Sequence, residues 1–146
     1  MRVSINLRNE ASELIRLEAF ADAFARDRGL ADEERGRLLI ILEELFTNVV
    51  ALGYEGEVEA ESVAVALDWR RGRLTINFVD DGPPFDPLAH SAPDLDVPAE
   101  QRPIGGLGIV LVRALVDRAR YCRQGHRNHL HLVRRLAPAV KNVSPQ

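Results

Sequence analysis

Val3, Ile5 and Leu7 alternate with Ser4, Asn6 and Arg8, the two-residue period of a half-buried strand. From Ser12 the period lengthens to that of a helix. Leu14, Ile15, Leu17, Phe20, Ala21 and Phe24 form an apolar stripe, and Gly29 is placed to stop it. A second helix is expected from near Asp32, where Glu33 and Glu34 suit the positive end of the helix dipole. Its stripe is Leu38, Ile41, Leu42, Leu45, Val49 and Leu52, with Gly53 as its end. Beyond a charged connector at 55–61 the alternation returns in Val63, Val65 and Leu67, then in Leu74, Ile76 and Phe78. Arg70-Arg71-Gly72-Arg73 between them reads as a hairpin turn. A helix follows through Ile109, Val110, Val112, Leu115 and Val116. Strands are expected around Tyr121-Cys122 and around Leu130, Leu132 and Leu136.

One stretch has no period. Residues 82–103 carry six of the eight prolines, and a long aperiodic connection in a compact domain is either a functional lid or disordered. The order is therefore strand, two helices, two strands, lid, helix, two strands. Helices grouped against a mixed, mostly antiparallel sheet make an α+β two-layer sandwich. At 146 residues the chain is one domain, spanning 1–137 with a tail at 138–146.

Composition narrows the function. Apolar residues make up 46% and charged residues 28%, as in ordinary globular proteins. A net charge of -3 supplies no basic field for nucleic acid. A single cysteine, Cys122, cannot close an internal disulfide, which fits a cytoplasmic location, and no run is apolar enough for a membrane span.

Three groups of residues carry candidate chemistry. Glu44 and Asn48 stand four residues apart on one helix face, beside the apolar stripe. An amide oxygen suits magnesium, and a carboxylate one turn away can deprotonate a hydroxyl; a solvated Glu and an interhelical Asn are the plainer reading. Asp80 closes a strand before Asp81-Gly82, where it can accept the adenine amine or simply begin a turn. Gly105, Gly106 and Gly108 precede a helix, so their backbone can approach phosphate or merely loosen a helix entry. They match neither a P-loop nor a dinucleotide fingerprint. His129 and His131 share a strand face without a cysteine or acidic ligand at metal-site spacing.

In order and spacing, these signals resemble the GHKL ATP-binding domain of gyrase, heat-shock chaperone, histidine kinase and MutL proteins, the Bergerat fold. The nearest likeness is to the small anti-sigma factor serine/threonine kinases of bacterial partner-switching systems. Leu42 to Asn48 looks like the family's N box, Asp80 to Pro87 like its first glycine box, and Gly105 to Val112 like its second. The resemblance implies ATP and Mg2+ as cofactors, Glu44 as general base, Asn48 as metal ligand and Asp80 as adenine anchor. It implies that Gly82 packs against the base and that Gly105, Gly106, Leu107 and Gly108 face the phosphates. Residues 86–104 would form the nucleotide lid, with Arg102 as a phosphate contact. The implied function is phosphorylation of a small anti-sigma-antagonist protein, with a sigma factor or another regulator as second partner and room for a homodimer. An ATP-dependent binding switch with little kinase activity is the alternative. A detached histidine-kinase-like domain is less favoured, because no phospho-acceptor helix precedes Val3. The chain departs from the family at Leu52, where His is frequent, and at Pro84, where a second Gly is frequent.

Overall fold

The computed structural model describes residues 1–52, 62–89 and 106–136. Among these, five strands and three helices appear in the expected order. They are β1 (Arg2–Leu7), α1 (Leu14–Asp27), α2 (Asp32–Leu52), β2 (Val63–Arg70), β3 (Arg73–Asp80), α3 (Gly106–Leu115), β4 (Arg118–Gln124) and β5 (Arg127–Arg135). Short 3-10 turns stand at Ala11–Glu13 and Pro87–Ala89.

The strands form one sheet in the order β1-β2-β3-β5-β4, and all four pairings are antiparallel. Its two-residue period sorts the side chains. On β3, Leu74, Ile76 and Phe78 are buried under the helices, while Thr75, Asn77 and Val79 look the other way. The β2–β3 turn puts Arg71 at φ 51° and Gly72 at φ 76°, the two left-handed residues that match a tight hairpin's twist.

α1 ends by a Schellman motif. Gly29 takes φ 65°, its N–H donates to the Arg26 carbonyl, and the Leu30 N–H reaches back to Ala25. Leu17, Ala21, Phe24 and Ala25 are the buried face of α1. Ile15, expected in that stripe, is 76% exposed. Two residues of helix rotate about 200°, which turns Ile15 away from Leu17. α2 is the central helix, packed against both α1 and α3 and burying Leu38, Ile41, Leu42, Leu45 and Phe46.

The molecule is thus a two-layer α+β sandwich, with the core between the helices and one sheet face. No helix among the described residues is long and apolar enough to cross a membrane. The expected helix stop at Gly53, nearly all of the lid at 86–104 and the tail at 138–146 lie outside the described residues.

Candidate nucleotide site

β3 carries Asp80 to the end of the sheet, where pairing with β5 sets it directly opposite Asn128. Both side chains are buried. Asp80 Oδ1 accepts the Gly82 N–H at 2.8 Å and the Asn128 Nδ2 amide at 3.0 Å, so one carboxylate oxygen is held by the protein. A Cβ at Gly82 would stand 2.8 Å from that oxygen, so any larger residue there must push the Asp80 carboxylate aside. Burial pushes the Asp80 carboxyl above the usual carboxylate range, against the opposing pull of Asn128, Gly82 and the Arg123 charge.

Asn128 organises the turn beyond. Its amide also donates to the Pro83 carbonyl at 2.9 Å, while its Oδ1 accepts from the Tyr121 hydroxyl and from Arg123 Nη1 at 3.1 Å. Arg123 Nη1 further bridges to the Gly82 carbonyl at 2.8 Å. The segment Gly82–Pro83 is therefore tied to β4 and β5 through side chains. Beside it lies a narrow slot between Val49 and Leu52 of α2 and Phe78, Tyr121, Leu130 and Pro87. Its polar wall is Asp80, Gly82 and Asn128. Apolar walls with one convergent polar edge suit a flat heteroaromatic base. The slot holds about 30 Å³, room for roughly two or three water molecules.

α2 supplies the second half of the site. Asn48 is 7% exposed, and its buried Oδ1 has no hydrogen-bond partner among the described residues. The sequence placed it beside the apolar stripe; the fold buries it. An orphaned amide oxygen costs about 1–3 kcal/mol, and a hard cation removes that cost, so this oxygen fits magnesium. One turn earlier, Glu44 turns toward α3, and a Cβ built at Gly108 would overlap Glu44 Oε2. The carboxylate thus lies against the first turn of α3, where free N–H groups and the helix dipole favour anions. The neighbouring Glu43 carboxyl is pushed up by burial and by the charges of Glu18 and Glu44.

The structure brings Asp80 and Gly82 together at one end, and Glu44 and Gly108 at another, with Asn48 on the same helix as Glu44. Gly106 and Leu107 open α3. Gly105 and Arg102 lie outside the described residues. Asn128, Tyr121 and Arg123 were not singled out from the sequence. They match no motif, and only the β3–β5–β4 register puts them beside Asp80. His131, weighed as a metal ligand, instead pairs its Nδ1 with Asn77 Oδ1 at 2.7 Å.

Among solved structures, the chain is similar to the RsbU and RsbW domains of Rv1364c from Mycobacterium tuberculosis, with a TM-score of 0.68 and 18% identity over 93% of its length. It spans 32% of that protein's chain, about a third. It is also similar to the Acinetobacter baumannii histidine kinase AdeS, with a TM-score of 0.50 and 16% identity, covering 93% of this chain and 68% of that one. At such identities these likenesses speak for the fold. No curated protein matches. The family profile of the histidine kinase-like ATPase domain matches residues 7–134, nearly the whole described fold and all three groups of site residues. With that match added to the geometry around Asp80, Asn48 and Gly108, the chain belongs to the histidine kinase-like ATPase family.

Proposed function

We propose that this chain is an ATP-dependent serine/threonine protein kinase of the anti-sigma type, phosphorylating a small antagonist protein in a partner-switching system. One observation carries the reading: Glu44 lies against Gly108 at the start of α3, one helical turn from the partnerless oxygen of Asn48. A pocket that only holds nucleotide has no need of a carboxylate at its phosphate end. A kinase does.

The residues divide the work. Asp80 accepts the adenine amine through the oxygen not already held by Gly82 and Asn128. Asn48 would hold Mg2+, which when bound neutralises charge on the phosphates. Glu44 takes the proton from a serine or threonine hydroxyl as that oxygen bonds to the γ-phosphorus and the bond to ADP breaks. Positioning and charge neutralisation provide most of the rate in such transfers. Arg102, Gly105, Gly106 and Leu107 complete the phosphate contacts in this reading, and residues 86–104 cover them.

The test is transfer of labelled phosphate from ATP to a small antagonist encoded beside this chain, with wild type and Glu44→Gln. Loss of a general base lowers rates by about 10²–10⁴. Wild-type transfer with a variant slowed on that scale, at nearly unchanged ATP affinity, is the expected outcome. Failure of wild type to transfer to any such partner removes the kinase reading. A specific observation favours a second reading in that event. The slot is narrow and lined by Leu52 at the end of α2 and by Pro87, so a nucleotide that widens it acts on both segments, as an ATP-gated binding switch requires.

A further inference from the structure

The sheet face turned away from the helices carries an unusual concentration of positive charge. Arg73 and Arg135 sit directly opposite each other on β3 and β5. Arg118 and Arg120 stand two residues apart on β4, on the same face, opposite Val133 and His131. All four arginines are exposed, and they line a concavity of about 530 Å³ floored by Val133. None of them has an ion-pair partner among the described residues, whereas Arg16, Arg26, Arg35, Arg37, Arg127 and Arg134 all do. Asp117, the acid in the concavity, turns Oδ2 to the Arg135 N–H at 2.6 Å. Like charges opposite one another in a sheet are destabilising, so this arrangement is unfavourable until an anion meets it.

The geometry of the edge adds a second constraint. β4 ends the strand order, and no strand among the described residues pairs with its outer side. Its outward N–H and C=O groups are a template for another extended chain. Arg118 and Arg120 are separated by roughly 6.7 Å, the repeat of same-face residues along a strand. Carboxylates at alternate positions of an added strand have that same repeat.

We propose that the outer edge of β4 and the Arg73–Arg118–Arg120–Arg135 concavity dock an extended, acidic segment of a partner protein, with carboxylates at alternating positions. The charges spread over three strands, wider than one phosphate group covers. Among the described residues no Phe, Tyr or Trp lines this concavity, His131 being its one ring, and the net charge of -3 repels a nucleic acid at long range. None of these four arginines belongs to the nucleotide site, so ATP binding serves as the control for substitutions at them.

The experiment titrates the full chain into a labelled peptide of alternating Glu and Ser, at low and at high salt. Binding that weakens with salt, and falls about tenfold or more in Arg118→Glu/Arg120→Glu, is expected, with ATP affinity unchanged. Arg16→Glu/Arg26→Glu on α1 makes the same change in net charge and should bind the peptide as wild type does. Arg73→Gln, a milder change on a different strand, should also weaken the peptide. A peptide N-methylated at alternate backbone nitrogens should lose most of its affinity. Equal weakening by both double variants, or full binding by the N-methylated peptide, overturns the proposal. Tighter binding of single-stranded DNA or inorganic polyphosphate than of the peptide overturns it in favour of those ligands.

Discussion

At the scale of single residues, the site consists of polar groups kept under strain of solvation. Asp80 is the clearest. Its folded carboxyl binds a proton more tightly than the unfolded one, whose ordinary value is 3.8. Stability from this group is therefore full below that value and falls as pH rises through the folded one. The burial that raises the folded value is a cost to the charged form, which a neutral side chain at this position does not bear. Asp80→Asn should raise the melting temperature of the nucleotide-free protein, because an amide oxygen still accepts from Gly82 and Asn128. The same change should weaken ATP by about 1.5–3 kcal/mol, roughly 10- to 150-fold, since a charged acceptor is lost. Calorimetry and thermal melts read the two opposite signs. Asn48 follows similar logic: Asn48→Ala removes an orphaned oxygen, so the fold should survive while the magnesium-dependent part of ATP affinity disappears. Titrations with magnesium and with EDTA decide it; an unchanged magnesium dependence places the metal elsewhere. Asn48 and Asp80 were legible as candidates because each breaks a local pattern: an Asn within an apolar helix, and an Asp ending an apolar strand. Their burial was not legible, for burial depends on what packs over them.

At the scale of elements, α2 and α3 must touch for the site to exist, and Gly108 is where they do. Gly108→Ala places a methyl on the Glu44 carboxylate, the free end of a flexible side chain, so the clash is relieved by moving Glu44 and leaving α3 in place. Ala also favours the helix by up to about 1 kcal/mol over Gly. The expected result is a fold as stable as wild type or slightly more so, with phosphate transfer reduced because the base is displaced. Transfer at the wild-type rate would show that Glu44 acts, if at all, from another position. Most elements could be read from periodicity, because a strand or helix that buries one face must repeat at two or about 3.6 residues. Ile15 shows the limit of that reading. It lies beside the apolar stripe in the sequence, yet the angular step around the helix sends it to solvent.

At the scale of the whole molecule, a bidentate ion pair links the layers. Glu34 at the start of α2 meets Arg134 of β5 at 2.9 and 3.0 Å, and Arg134 Nη1 also donates to the Leu115 carbonyl at the end of α3, at 2.6 Å. The hydrogen bond from Arg134 holds the Glu34 carboxyl below its ordinary value of 4.5. Its contribution is present above that value and is lost as pH falls through the folded one. Glu34→Gln should cost about 1–3 kcal/mol at neutral pH. It should also flatten the acid limb of the stability profile, both measurable by urea melts. A variant with wild-type stability would make the pair incidental. Glu34 and Arg134 are a hundred positions apart, and no local pattern joins them. The same holds for Asn128, Tyr121 and Arg123, which reach Asp80 only because β5 lies between β3 and β4. The sequence by itself determined the elements, their order and the three motif segments, since these follow from local periodicity and from residues that are out of place within it. The tertiary structure alone decided which side chains share a pocket, that the Asn48 oxygen is buried without a partner among the described residues and which arginines crowd one face. Those depend on strand order and register, contacts between distant residues that local periodicity does not record.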